Sequence, residues 1–140
     1  MGREVTLLLV EDDQIDVMAV KRAFKERKIA NRLEIAGDGV EALEILRGSD
    51  ERPALPSPYI IILDLNMPRM NGFQFLDEVR ADPDLRQAVI FVMTTSKDDT
   101  DRAKAYSQNI AGYITKSEFD TSYVDAVSML EAYSKVVVLP

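Results

Sequence analysis

The chain has no cysteine and no histidine among its 140 residues. Without cysteine there is no disulfide framework, thiol nucleophile or thiolate metal site. Without histidine there is no Ser-His-Asp triad, imidazole base or HExxH zinc site. Most hydrolytic chemistries are thereby excluded. No apolar run approaches the roughly 20 residues of a membrane-spanning helix, and Met1-Gly2-Arg3-Glu4 lacks the charged-then-apolar layout of a signal peptide. A soluble, cytoplasmic protein is expected. Basic residues are in deficit, 17 Lys+Arg against 24 Asp+Glu for a net charge of −7, which repels phosphate backbones and speaks against a nucleic-acid surface. Neither a GxGxxG nor a GxxxxGK[ST] segment occurs, so nucleotide binding has little to rest on. What the sequence does have is 46% hydrophobic residues, enough for one core. The chemistry left to it is that of carboxylates.

The apolar pattern alternates between two periods. Val5–Val10, Tyr59–Leu63 and Ala88–Met93 are short, near-continuous apolar runs of the kind that form strands buried on both faces. Arg32–Ala36 and Ala111–Thr115 are weaker strands. Helical spacing predicts helices over about Gln14–Lys28, Val40–Leu46 closed near Gly48, Asn71–Ala81, Asp98–Gln108 and Phe119–Ser134. The fourth, with small side chains around Ala103 and Ala105, is expected to be loosely held. Ser49–Ser57 carries prolines at 53 and 56 and is a surface loop. Five strands alternating with five helices predict an α/β domain, a doubly wound parallel sheet, in which reactive groups gather beyond the carboxyl ends of the strands.

Strand one ends in Glu11-Asp12-Asp13, strand three in Asp64, strand four in Thr94-Thr95 and strand five in Lys116. Each has an ordinary explanation alone. The acidic triplet suits a helix cap, with Asp13 as the cap and Glu11 and Asp12 turned to the crevice. A lone threonine caps or packs, and a lone lysine is solvated. Asp64, however, emerges from the most apolar strand, where an unpartnered charge is costly and a nearby cation is the economical explanation. Clustered carboxylates suit a hard cation such as Mg²⁺. A carboxylate can also attack a phosphoryl group if positive charge neutralises the incoming oxygens. On that reading Asp64 is the nucleophile and Glu11 and Asp12 bind metal directly or through water. Lys116 pairs with the phosphoryl oxygens, and the Thr94 hydroxyl donates to one of them.

Four segments together resemble the receiver domains of two-component response regulators: Leu-Leu-Val-Glu-Asp-Asp at 8–13, Leu-Asp-Leu-Asn-Met-Pro-Arg-Met-Asn-Gly at 63–72, Val-Met-Thr-Thr-Ser at 92–96 and Gly-Tyr-Ile-Thr-Lys at 112–116. The resemblance implies the flavodoxin-like receiver fold with strand order 2-1-3-4-5. It implies Asp64 as phosphoryl acceptor, Mg²⁺ as cofactor, and Glu11, Asp12, Asp64 and the backbone carbonyl of Asn66 as metal ligands. Thr94 and Lys116 become the phosphate-stabilising pair, and Thr94 with Tyr113 the switch. The implied partner is a sensor histidine kinase, whose phosphohistidine this histidine-free chain cannot supply, and the implied role is signalling rather than metabolism.

The proline-bearing loop before strand three, Thr-Thr-Ser-Lys at 94–97 and the Val-Val-Val-Leu-Pro ending are most similar to small single-domain regulators paired with bacterial and cyanobacterial phytochrome kinases. That subgroup implies a homodimer using the carboxyl-terminal region. The apolar tail, about 136–140, equally well folds back on its own domain. Residues 1–140 are expected to form a single receiver domain with no output domain, since the last helix uses most of the chain beyond Lys116. Two departures from the receiver pattern occur. Ser117 stands where most receivers have proline, and a cis bond before serine would cost about 3–4 kcal/mol. Thr95 is bulkier than the usual small residue, and slower dephosphorylation is expected from it. An aspartyl-phosphate hydrolase of the haloacid dehalogenase type is disfavoured because Asn66 occupies the position of its second aspartate. A receiver-like dimer whose output needs no phosphorylation is the alternative.

Overall fold

A computed structural model describes residues 4–67, 69–116 and 121–140, without the side chains of 121 and 122. Ser117 and the start of the last predicted helix at Phe119 lie outside these residues. The elements in chain order are β1 (Thr6–Val10), α1 (Gln14–Glu26), β2 (Leu33–Ala36), α2 (Gly39–Arg47) and β3 (Tyr59–Leu63). They continue as α3 (Gly72–Ala81), β4 (Val89–Thr94), α4 (Asp99–Tyr106), β5 (Gly112–Thr115) and α5 (Thr121–Val136). The strands form one parallel sheet, as the α/β pattern predicts, in the order β2-β1-β3-β4-β5 that the resemblance to receiver domains implies.

Alternation along the buried strands splits the interior into two clusters. Leu8, Val10, Ile61, Leu63, Ile90 and Val92 point to the face covered by α2, α3 and α4. Leu7, Leu9, Ile60, Ile62, Phe91 and Met93 point to the face covered by α1 and α5. Strands buried on both sides have no polar face to show, which is why β1, β3 and β4 read as unbroken apolar runs. Of the residues of α4 only Ala105 is buried, in line with its weak apolar content.

Register then sets where the functional side chains emerge. Val10 pairs with Leu63, so Glu11 and Asp64 leave adjacent strands at the same level, and the Asp64 amide donates to the Val10 carbonyl at 3.0 Å. Thr94 pairs with Thr115, which brings Lys116 to the same rim. Side-chain caps start the helices close to that rim. Asp13 caps α1, accepting from the Ile15 amide at 2.8 Å. Asp38 caps α2, Asn71 and Gln74 form a capping box on α3, and Asp98 caps α4. Gly48 closes α2 at φ 81, and a β carbon there would come 2.6 Å from the Ala54 amide nitrogen.

Three helices end two residues away from the sequence reading. α1 stops at Glu26, with Lys28 in the left-handed region at φ 52. α4 stops at Tyr106 ahead of Asn109, also left-handed at φ 58. α5 runs on to Val136, because the Ser134 hydroxyl is satisfied by the Glu131 carbonyl within the helix at 2.7 Å and the exposed Lys135 does not interrupt it. Val136 therefore belongs to the helix and the tail begins at Val137. Leu139 folds back against the cluster beneath α1 and α5, while Val136 and Val138 stand exposed.

Candidate functional site

The sheet delivers Glu11, Asp12 and Asp64 to one point. One carboxylate oxygen from each lies within 4.8 Å of the others; Glu11 and Asp64 are buried and Asp12 is open to solvent. Asp13 is spent on capping α1, as expected, and leaves the other two acids free. The Asn66 amide donates to Asp64 Oδ1 at 3.4 Å, and Asn66 itself is exposed on the loop after β3.

Lys116 is buried and its ammonium is shared. It donates to Glu11 Oε1 and to Asp16 Oδ2, the latter at 2.8 Å, and stands 3.8 Å from Asp64 Oδ1. The Tyr123 hydroxyl donates to the other oxygen of Asp16. Sequence reasoning singles out neither Asp16 nor Tyr123 for the site. Asp16 stands in the first turn of α1, three residues beyond its cap Asp13, where an acid suits the helix dipole, and nothing in the sequence marks it further. Tyr123 reads as apolar, but a buried tyrosine needs a partner for its hydroxyl.

The electrostatics follow from burial. Removal from water, reinforced by the neighbouring Asp64 carboxylate and opposed by Lys116, pushes Glu11 up to about 8. Burial also raises Asp64, against the pull of Lys116 and the Asn66 amide. Burial would raise Asp16 too, but its bonds to Lys116 and Tyr123 win and hold it below the ordinary aspartate range. Burial would lower Lys116, but its carboxylate partners outweigh it and hold the ammonium charged. One ammonium thus faces three carboxyl groups, too few positive charges to keep all three ionised.

Thr94 is fully buried at the end of β4, its hydroxyl accepting from the Ser96 amide at 3.3 Å. The Tyr113 hydroxyl donates to the Ser96 carbonyl at 3.0 Å, so both residues expected to form the switch meet one loop. Thr95 is exposed beside them. The loop after β3 is held from the far side, where Arg69 reaches Asp38 at 2.6 Å.

The family model of the response regulator receiver domain matches residues 7–128. The chain belongs to the receiver-domain family. This receiver is 33% identical over 135 residues to the response regulator Rcp1 of Synechocystis sp., spanning 96% of the chain and 92% of Rcp1. It superposes on the phosphorylated cyanobacterial phytochrome response regulator RcpA with TM-score 0.88 at 29% identity, covering 99% of both chains. The Mn(2+)-bound form of Rcp1 gives TM-score 0.85 at 33% identity, again over 99% of both. The receiver is thus a response regulator of two-component signalling, with the fold order of its relatives. Among the described residues, no helix is long and apolar enough to cross a membrane.

Proposed function

We propose that Asp64 accepts a phosphoryl group from a sensor histidine kinase. The observation that carries this reading is the convergence of Glu11, Asp12 and Lys116 on the Asp64 carboxylate at the ends of β1, β5 and β3. An Asp64 oxygen attacks phosphorus as the P–N bond to the donor imidazole breaks. The imidazole keeps the bonding electron pair and takes up a proton, and the aspartate becomes an acyl phosphate. Lys116 and the Thr94 hydroxyl bind the new oxygens on this reading, and the donor enters from the side of Asp12, which is open to solvent.

The donor set fits a divalent cation. All candidate ligands are oxygens, as a hard cation requires, and the raised Glu11 and Asp64 mark a site whose negative charge is incompletely met. Glu11, Asp12, Asp64 and the Asn66 carbonyl would hold Mg²⁺, which supplies the charge that neutralises the phosphoryl oxygens. The relatives bear on both points: RcpA has been seen phosphorylated and Rcp1 with Mn²⁺.

Downstream, Thr94, Tyr113 and the sparsely anchored α4 form the responsive face. The likeness to RcpA supports a phytochrome-type pathway, the match over 99% of both chains supports a receiver acting as a single domain, and the exposed Val136 and Val138 support a homodimer built on the carboxyl-terminal region. Intact mass after incubation with Mg²⁺ and acetyl phosphate is the test. One phosphoryl adduct in the wild type and none in Asp64→Asn is expected. No adduct, or an adduct retained by Asp64→Asn, rules out Asp64 as acceptor. Light scattering on the same samples reads the dimer.

A further inference from the structure

Lys116 has more carboxylate partners than its expected role requires, and they differ in how easily they can let go. Its ammonium bonds Glu11 and Asp16, while Asp64 lies at 3.8 Å, beyond hydrogen-bond reach. The Glu11 side chain is 2% exposed and that of Asp16 is 23%. A buried carboxyl group stripped of its hydrogen-bond donor is left unsatisfied, whereas one at the edge is taken up by water. Asp16 is therefore the partner that can release the lysine. It is also held ready: the Tyr123 hydroxyl occupies one of its oxygens and leaves the other to Lys116.

Resting on Asp64 as the phosphoryl acceptor, we propose that Asp16, steadied by Tyr123, is a positioning residue that holds Lys116 back from Asp64 and yields it when the phosphoryl group arrives. A phosphoryl group brings about −1.5 to −2 charge and three acceptor oxygens, which outbid the single carboxylate of Asp16 for the ammonium. Release frees a link that ties the end of β5 to α1 and, through Tyr123, to α5. Asp16 thus sets the balance between free and phosphorylated states without touching the phosphoryl group.

The experiment is a titration of the full chain with beryllofluoride, a phosphoryl mimic, at fixed Mg²⁺, monitored by amide chemical shifts. Asp16→Asn keeps the shape and the acceptor for Tyr123 but removes the charge. It is expected to tighten the apparent affinity about two- to fivefold, the range of a partly exposed ion pair. Tyr123→Phe tightens it less. In a Lys116→Met background, Asp16→Asn has no effect, a coupling that a purely structural role for Asp16 does not produce. Unchanged or weaker binding in Asp16→Asn, or the same shift with and without Lys116, overturns the proposal while leaving Asp64 as acceptor. A wild type that does not bind beryllofluoride, or binding that survives Asp64→Asn, overturns both.

Discussion

Gly72 sits against the backbone of Asp64, so close that a β carbon on Gly72 would lie 2.7 Å from the Asp64 carbonyl oxygen and 2.6 Å from the Cα of Leu65. The start of α3 is thereby pressed onto the loop that carries the candidate acceptor, and the Gly72 amide donates to the Leu65 carbonyl at 2.9 Å. Alanine is intrinsically the better helix residue by about 1 kcal/mol, yet here its methyl meets main chain on two sides. Gly72→Ala is expected to destabilise the fold by about 1–3 kcal/mol in urea unfolding and to weaken Mg²⁺ binding. A more stable variant would mean that the loop can retreat.

The other flank of that loop rests on Asp38. Its carboxylate accepts from the Glu41 amide at 2.8 Å and meets Arg69 at 2.6 Å. Asp38→Ala removes both the cap and the pair and should cost about 1–2 kcal/mol. Arg69→Ala, on a side chain 61% exposed, should cost under about 1 kcal/mol. Equal losses from the two, measured by chemical denaturation, would show that the ion pair and not the cap dominates.

Glu11 makes the metal-free protein sensitive to alkali. Its carboxyl is pushed up to about 8 in the folded chain from an ordinary value of 4.5, so between these values the native state holds a proton that the unfolded chain has lost. That contribution to stability is complete below pH 4.5 and disappears as pH rises through about 8. In chelator, the melting temperature of the wild type should fall across this window relative to Glu11→Gln, which has no proton to lose. With Mg²⁺ present the fall should shrink, because metal binding displaces that proton, and Mg²⁺ affinity should be higher at about pH 8 than at about pH 6. Parallel wild-type and Gln curves in chelator would refute this.

Arg80 of α3 acts on backbone alone. Its guanidinium donates to the carbonyls of Gln108 at 2.7 Å, Arg86 at 2.7 Å, Ala88 at 2.9 Å and Asn109 at 3.1 Å. It pins the turn after α4 and the turn before β4 together. Arg80→Met keeps much of the apolar stem and leaves four acceptors unmet, at an expected cost of about 2–3 kcal/mol. Hydrogen exchange should quicken over residues 107–111 and stay unchanged in β1. Protection retained across that turn would place its anchor elsewhere.

All ten elements and the doubly wound sheet are legible in the sequence because their signals are local. Strands such as Tyr59–Leu63 are apolar throughout, and acids or asparagine stand between strand and helix as caps. The acidic trio is legible for a related reason: each member sits where a buried strand ends, and parallel register does the rest. What escapes is what depends on packing between helices. Asp16 in the first turn of α1 looks like an acid placed for the helix dipole, and only its distance to Lys116 shows otherwise. Tyr123 looks like a core aromatic until its hydroxyl is traced to Asp16. The inward turn of Leu139 is one of the two outcomes that the apolar Val-Val-Val-Leu-Pro ending leaves open, and only the packing chooses between them.

Among the described residues the two interiors form separate clusters on either side of the sheet. A packing change beneath α4, lined by Ala105 and Ile110, leaves Val17, Val20 and Leu130 on the far side in place. Substitutions drawn from opposite faces should therefore add in their effects, as independent sites do. Selection could accordingly reshape the surface on the α4 side for a new listener while the α1 and α5 side stays fitted to its own contacts, each face drifting without asking leave of the other.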